Sequence, residues 1–474
     1  MRVLGRAVYR GPHLYSRLPM VRIQLDLERL EAWPSDRIPG FADRLADLLP
    51  GLAGHGCSYR EPGGFLRRLR EGTWTGHVVE HVALQLQTEA GAPVSRGKTR
   101  SVPGRPGVYN VLYAYLEEEP GLLAGRLALE LVDSILPESL RGVRGLDRVH
   151  APPFSAADGF DLPAALEALR RSLARARLGP TTRSLVEAAA RRGIPVMRLD
   201  EQSLVQLGWG ARRKLIRASI TGATSHLAVE AAGNKQLTRT LLAGAGVPVP
   251  EGVVVRTAEE AVAEARRLGW PVVVKPLDGN HGRGVSLDLC DEAAVRAAFA
   301  LAARHGRRII VEQQLAGRDH RILVANGRVV AVAERVPAHV VGDGASTVAQ
   351  LIEQVNRDPR RGTGHEQVMT RIAVDDHVRN VLTRAGLTLE STPAKGVTVF
   401  LRDTANLSTG GTAVDRTDDI HPDNAAVARR AVKTLGLDVG GVDFLAPDIT
   451  RSVRETGGGV VEVNAAPGFR MHLE

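Results

Sequence analysis

The sequence predicts two mixed domains, an α+β domain followed by an α/β domain, and three observations predict it. Residues 1–150 interleave short apolar runs, MRVLGRAVYR (1–10) and MVRIQLDL (20–27), with the helical periods GFADRLADLLPGL (40–52) and GLLAGRLALELVDSIL (121–136). The stretch RVHAPPFSAADGFDLP (148–163) is dense in turn formers and reads as a linker. Beyond about residue 160 helical and strand patterns alternate. The expected division is 1–160 and 161–474.

The elements of the second part follow in order. DLPAALEALRRSLARARLG (161–179) and RSLVEAAARRG (183–193) have helical periods, and IPVMRLD (194–200) reads as a strand. NKQLTRTLLAGAG (234–246) is a helix leading into the strand VPVPEGVVV (247–255). AAVARRAVKTLG (425–436) ends at a glycine that suits a helix terminus. DVGGVDFLAPDI (438–449) and VVEVNAAPG (460–468) are two apolar strands around a short turn. No internal repeat or low-complexity tract interrupts this order.

Composition narrows the class. A chain of 474 residues with 43% hydrophobic content can bury two or three cores. It contains no run of about 18 uncharged apolar residues and no cleavable apolar start, so a soluble cytoplasmic protein without a membrane partner is expected. Cys57 and Cys290 lack paired spacing, so neither a disulfide framework nor a thiolate metal site is expected, and both should be buried small hydrophobes. The net charge of +9 is spread along helices with only 4% aromatic residues, which argues against a nucleic-acid partner. Only six of the 62 basic residues are lysine, so a lysine inside a motif suggests a need for a compact point charge such as phosphate binding requires.

VVVKPLDGNHGRGVSLDL (272–289) is an apolar strand ending at Lys275, then Gly279, Gly282 and Gly284, then a second strand. Closely spaced glycines let backbone N–H groups approach phosphate oxygens, and the lysine adds charge. The loop lacks the Gly-Lys-Ser/Thr ending of a P-loop and joins strand to strand, which disfavours P-loop and dinucleotide readings and leaves a plain hairpin as the alternative. Asp443, Glu462 and Asn464 are spaced as three oxygen ligands on two neighbouring strands, a set that suits Mg²⁺ bound to ATP phosphates. Glu462 and Asn464 alternate with Val463 and so share one face. Burying them is costly without a cation or partner, an internally paired carboxylate being the alternative.

The succession of strand, Lys275, glycine-rich loop, IIVEQQLAGRDHRILV (309–324), VDFL and EVNAAPG resembles the ATP-grasp superfamily over roughly residues 225–474. That resemblance implies that Lys235 is a first phosphate-contacting lysine and Lys275 the second. It implies Glu312 at the adenine hinge, Asp319 on the ribose hydroxyls where glutamate is commoner, and a mobile lid over about residues 225–325. KPLDGNHGRGV, TSHLAVEAAGNK, LSTGGTAVDRTDDIHP and EVNAAPGFRMHL are similar to cyanophycin synthetases in particular. The family's common form continues into a Mur-ligase-like domain, and this sequence stops at MHLE before it.

The resemblance implies an ATP-dependent amide ligase. A polymer carboxylate attacks the γ-phosphate, and the amine of aspartate, or of preformed β-aspartyl-arginine, displaces phosphate, with no protein nucleophile needed. It also implies a homo-oligomer, dimer or tetramer. The competing reading is a non-catalytic polymer-binding or scaffold fragment.

A second motif lies in the first domain. His77, Glu80 and His81 form an H-x-x-E-H arrangement on a predicted helix. Positions i and i+4 share a face, so both imidazoles can reach one Zn²⁺ while Glu80 stands as general base. The alternative is an ordinary helix whose histidines cap or pair with carboxylates. Cyanophycin synthetases whose first domain resembles a metallopeptidase imply a primer-making endopeptidase. A third ligand is then needed, and Glu118, among the glutamates of YAYLEEEPG between a strand and a helix, is the expected one.

Overall fold

Between Met20 and Asp26 the side chains of Val21, Ile23 and Leu25 are fully buried and the intervening polar ones are not, the period-two pattern of a strand with one face on a core. In the computed structural model, which describes residues 1–153, 159–277, 284–362 and 369–473, this strand lies in a four-stranded antiparallel sheet. The strands are β1 (Arg2–Tyr9), β2 (Met20–Asp26), β3 (Gly97–Val102) and β4 (Arg105–Ala114), ordered β1-β2-β4-β3. Helices α1 (Thr75–Glu89) and α2 (Glu118–Ser134) share its core through Val78, Val82, Leu123 and Leu127. Twelve of the fifteen α1 residues are buried, the state of a helix enclosed on nearly all sides.

The chain divides into two compact units, Met1–Leu178 and Gly179–Glu474. The division falls after Leu178, not after residue 160, because α3 (Leu162–Ala176) places Ala165, Leu166 and Leu169 in the first core. Asp161 caps it by accepting the Ala164 N–H, a contact worth about 1 kcal/mol. The turn formers mark an irregular segment, but the apolar stripe that follows packs backwards in the sequence.

Two of the sheets in the second unit frame the candidate site. The smaller comprises β5 (Gly252–Val255), β6 (Val272–Pro276), β7 (Ser286–Leu289) and β8 (Ile309–Gln313), ordered β7-β6-β8-β5. It packs on helices Ala258–Leu268 and Glu292–Ala303 around a core of its own. The larger comprises β9 (Arg318–Ala325), β10 (Arg328–Val336), β11 (Thr412–Asp415), β12 (Val439–Ala446) and β13 (Gly459–Asn464), ordered β11-β10-β9-β12-β13. Between β10 and β11 an insertion with helices Val348–Asn356 and Asp376–Arg384 has a separate apolar core that includes Val340, Leu351 and Leu382.

The expected helix at 234–246 is α4 (Lys235–Gly244), capped by Asn234, and that at 425–436 is the helix Pro422–Thr434. The expected strand at 247–255 is regular only from Gly252. Among the described residues no helix is long and apolar enough to cross a membrane.

Candidate functional site

In the second unit a cleft between the two sheets brings together Lys235 at the start of α4, Lys275 on β6, Glu312 on β8 and Glu462 on β13, against an apolar wall that includes Leu242 and Ile310. Antiparallel pairing of β6 with β8 sets Lys275 near Glu312, and the Lys275 ammonium donates to the buried Glu312 carboxylate. Gly284 takes a left-handed φ of +71°, at which a β-carbon would be strained. Gly279 and Gly282 lie outside the described residues.

The polar row on the larger sheet follows from strand register. Arg321 on β9 pairs with Asp443 on β12, which pairs with Glu462 on β13, while Gly441 faces Asn464. A β-carbon at Gly441 would stand 2.7 Å from the Arg321 guanidinium, so the missing side chain makes room for that arginine. Arg335 on β10 donates to Asp319 at 2.6 Å and lies 3.3 Å from Asp443. Burial raises the pKa of the Asp319 carboxyl, and the Arg335 charge opposes the rise.

Arg321 Nε is 2.7 Å from Asp443 Oδ1, yet neither atom completes an aligned hydrogen bond. A buried carboxylate oxygen without a directional partner, beside Glu462 and Asn464, has the chemistry of a cation ligand set. Arg321 and Arg335 were not singled out from the sequence, although RDHR (318–321) carries a legible signal: Arg321 shares the face of Asp319 at period two.

In the first unit His77 and His81 lie one turn apart on α1, and their rings meet edge to face at 4.8 Å. Thr73 Oγ1 is 2.9 Å from His77 Nδ1 and His55 Nδ1 is 2.8 Å from His81 Nδ1, which leaves the Nε2 atoms of both rings available. The third donor is Cys57, whose Sγ is 3.4 Å from His77 Nε2; one donor atom each from Cys57, His77 and His81 lie within 4.8 Å of one another. Burial lowers the His77 pKa to about 4, and lowers that of His81 well below its usual value, so both rings keep lone pairs for a metal at neutral pH.

Two expectations are corrected here. Glu118 does not join the histidines; it sits in the first turn of α2 and pairs with Arg10 at 2.5 Å. The cysteines are not buried: Cys57 is half-buried at the edge of the first core, and Cys290 is exposed. Cys57 lies in a short helical turn distant from the H-x-x-E-H segment, so only tertiary packing brings its sulfur to the histidines. Glu80 is buried beneath β3 and accepts from Thr99 Oγ1 at 2.6 Å, and burial pushes its pKa up to about 7.

Comparisons with known proteins agree with this division. Residues 22–137 match the family described as the cyanophycin synthase-like N-terminal domain, and residues 229–317 match an ATP-grasp domain. The whole chain is 49% identical over 476 residues to a cyanophycin synthetase of Nostoc sp., covering 51% of that protein. It is 45% identical over 480 residues to one of Synechocystis sp., covering 53%. The chain thus spans about half the length of the curated relatives it matches. Among solved structures, a bifunctional glutathione synthetase from Pasteurella multocida superposes with a TM-score of 0.53 at 27% identity, over 76% of this chain and 54% of that one. On the cleft, the strand register around it and these likenesses, the chain carries a cyanophycin synthase-like N-terminal domain and an ATP-grasp domain, and is similar along its whole length to about half the length of the cyanophycin synthetases it matches.

Proposed function

We propose that the second unit is an ATP-dependent carboxylate–amine ligase acting in cyanophycin synthesis. The observation that carries this reading is the single cleft in which Lys235, Lys275, Glu312 and Glu462 converge beside an apolar wall. The lysines offset phosphate charge, Glu312 holds Lys275 and reads the adenine edge, and Asp319 takes the ribose hydroxyls. Asp443, Glu462 and Asn464 would hold Mg²⁺, which when bound would neutralise charge on the transferred phosphoryl group. A carboxylate oxygen at the polymer C-terminus forms a bond to the γ-phosphorus as its bond to the β-bridging oxygen breaks and ADP leaves. The amine nitrogen then attacks the acyl carbon, the carbon–oxygen bond to phosphate breaks, and the amine proton passes to solvent. The portion over about residues 225–325 acts as the mobile lid.

The amine belongs to aspartate or to β-aspartyl-arginine, and the working protein is a cytoplasmic dimer or tetramer with no nucleic-acid or membrane partner. Purified chain with ATP, Mg²⁺ and a cyanophycin primer should release phosphate on addition of one of these two amines. No release with either would leave a polymer-binding scaffold.

In the first unit the reading is a zinc endopeptidase that trims polymer into primers. The convergence of Cys57, His77 and His81 supports it: these residues would hold Zn²⁺, which would supply Lewis-acid activation of a water, and Glu80 would stand as the general base. A carboxyl with a pKa of about 7 is matched to that task.

A further inference from the structure

Four residues on one face of α1 follow at i, i+4, i+8 and i+12: His77, His81, Gln85 and Glu89. The first two belong to the metal-type cluster, and the other two continue the column away from it. The Gln85 side-chain N–H donates to Glu89 Oε1 at 3.0 Å. A carboxylate only accepts, so the amide orientation is settled and Oε1 of Gln85 faces the other way. That oxygen lies 2.9 Å from His55 Nε2. It too can only accept, so the proton of the neutral His55 ring sits on Nε2 and Nδ1 carries a lone pair. His55 Nδ1 is 2.8 Å from His81 Nδ1, which must then be the donor. A neutral His81 with its proton on Nδ1 has an unprotonated Nε2, the atom available to a metal beside Cys57 and His77.

We propose that Glu89, Gln85 and His55 form a directional relay that fixes the tautomer of His81, so that its Nε2 is presented as a metal ligand. These are positioning residues, and the metal half of the proposal rests on the zinc reading above. The packing is built for the relay. Phe65 stacks on His81 at 4.0 Å with an interplanar angle of 20°, which holds the ring plane. A β-carbon at Gly51 would come within 1.8 Å of the Gln85 amide nitrogen, so glycine leaves the space in which that amide lies. Second partners of this kind orient a ligating imidazole and raise its basicity, and their loss costs about 10- to 100-fold in metal affinity.

The test uses the full chain with ¹⁵N-labelled histidine, read by long-range ¹H–¹⁵N correlation in the metal-free protein, together with Zn²⁺ affinity from competition with a chromophoric chelator. The expected result is an Nε2–H proton on His55 and an Nδ1–H proton on His81. Gln85→Leu should mix the tautomers and weaken Zn²⁺ binding by about 10- to 100-fold. Gly51→Ala, which displaces the amide without removing it, should act in the same direction and stands in if Gln85→Leu does not fold. The double exchange Gln85→Glu/Glu89→Gln keeps an acceptor toward His55 with a donor behind it, and should restore both readouts.

An Nε2–H proton on His81 in the unaltered chain would overturn the relay, as would unchanged tautomers in Gln85→Leu or a double exchange no better than that variant. An unaltered chain with the expected tautomers that binds no Zn²⁺ would overturn the zinc reading and support the relay alone.

Discussion

Asp443 and Glu462 stand directly opposite one another across the antiparallel pair β12–β13, two carboxylates in neighbouring positions on one sheet face. Like charges so placed repel unless a cation lies between or beside them. Arg321 and Arg335 approach Asp443 from β9 and β10. Glu462 lines the cleft that also holds both lysines.

Glu462→Gln is therefore expected to lose at least about 100-fold in primer-dependent phosphate release, because it removes one metal-ligand charge at the phosphoryl group while keeping size and shape. Circular dichroism and melting should be unchanged. Activity within about threefold of the unaltered chain would remove Glu462 from the ligand set.

Arg335 lies between two carboxylates, Asp319 and Asp443, and is itself mostly buried. Arg335→Met strands Asp319 and leaves Asp443 with Arg321 alone, and breaking a buried pair on one side costs about 3–5 kcal/mol. Denaturant unfolding of the second unit should show that loss, whereas Arg384→Met, at an exposed pair with Asp403, should change stability by less than about 1 kcal/mol. Equal effects would mean that the Arg335 network is not desolvated as described.

His472 is half-buried, with its pKa lowered to about 4, first by burial and then by the nearby Arg321 charge. The unfolded chain takes up this proton near pH 6.5 while the folded one resists it, so the associated stability is present above about 6.5 and is lost as pH falls toward 4. At pH 5 the share from this one group is about 2 kcal/mol. The drop in unfolding free energy between pH 7 and pH 5 should be smaller by roughly that amount in His472→Gln. An identical drop would show that His472 titrates normally in the folded protein.

Substitutions in the Cys57, His77 and His81 cluster and at Glu80 should separate metal binding from cleavage. Cys57→Ser and His77→Ala should each weaken Zn²⁺ binding at least about 10-fold, judged by elemental analysis after dialysis. Glu118→Gln should leave the metal content unchanged. Glu80→Gln should keep the metal and the fold, lose polymer shortening, and leave elongation of an added short primer intact. Shortening by Glu80→Gln at the original rate would remove the base role.

The sequence by itself determined the strands and helices whose periods are strong, and with them the residues that share a face through local geometry: Glu462 with Asn464 at period two, His77 with His81 at period four. It also carried the family likeness, because motifs such as KPLDGNHGRGV and EVNAAPG are contiguous. Tertiary structure alone decided what meets across elements. The α3 stripe did not state which core it covers, and it covers the first. Arg321 reaches Asp443 through the register of β9 on β12 and through the space at Gly441. Cys57 reaches His77, and His55 reaches His81, across 20 and 26 residues of chain by the packing of short irregular turns on α1. Periodicity is a property of one element, whereas a donor set is completed by side chains whose approach is set by the packing of several, and for that reason Cys57 rather than Glu118 lies beside His77 and His81.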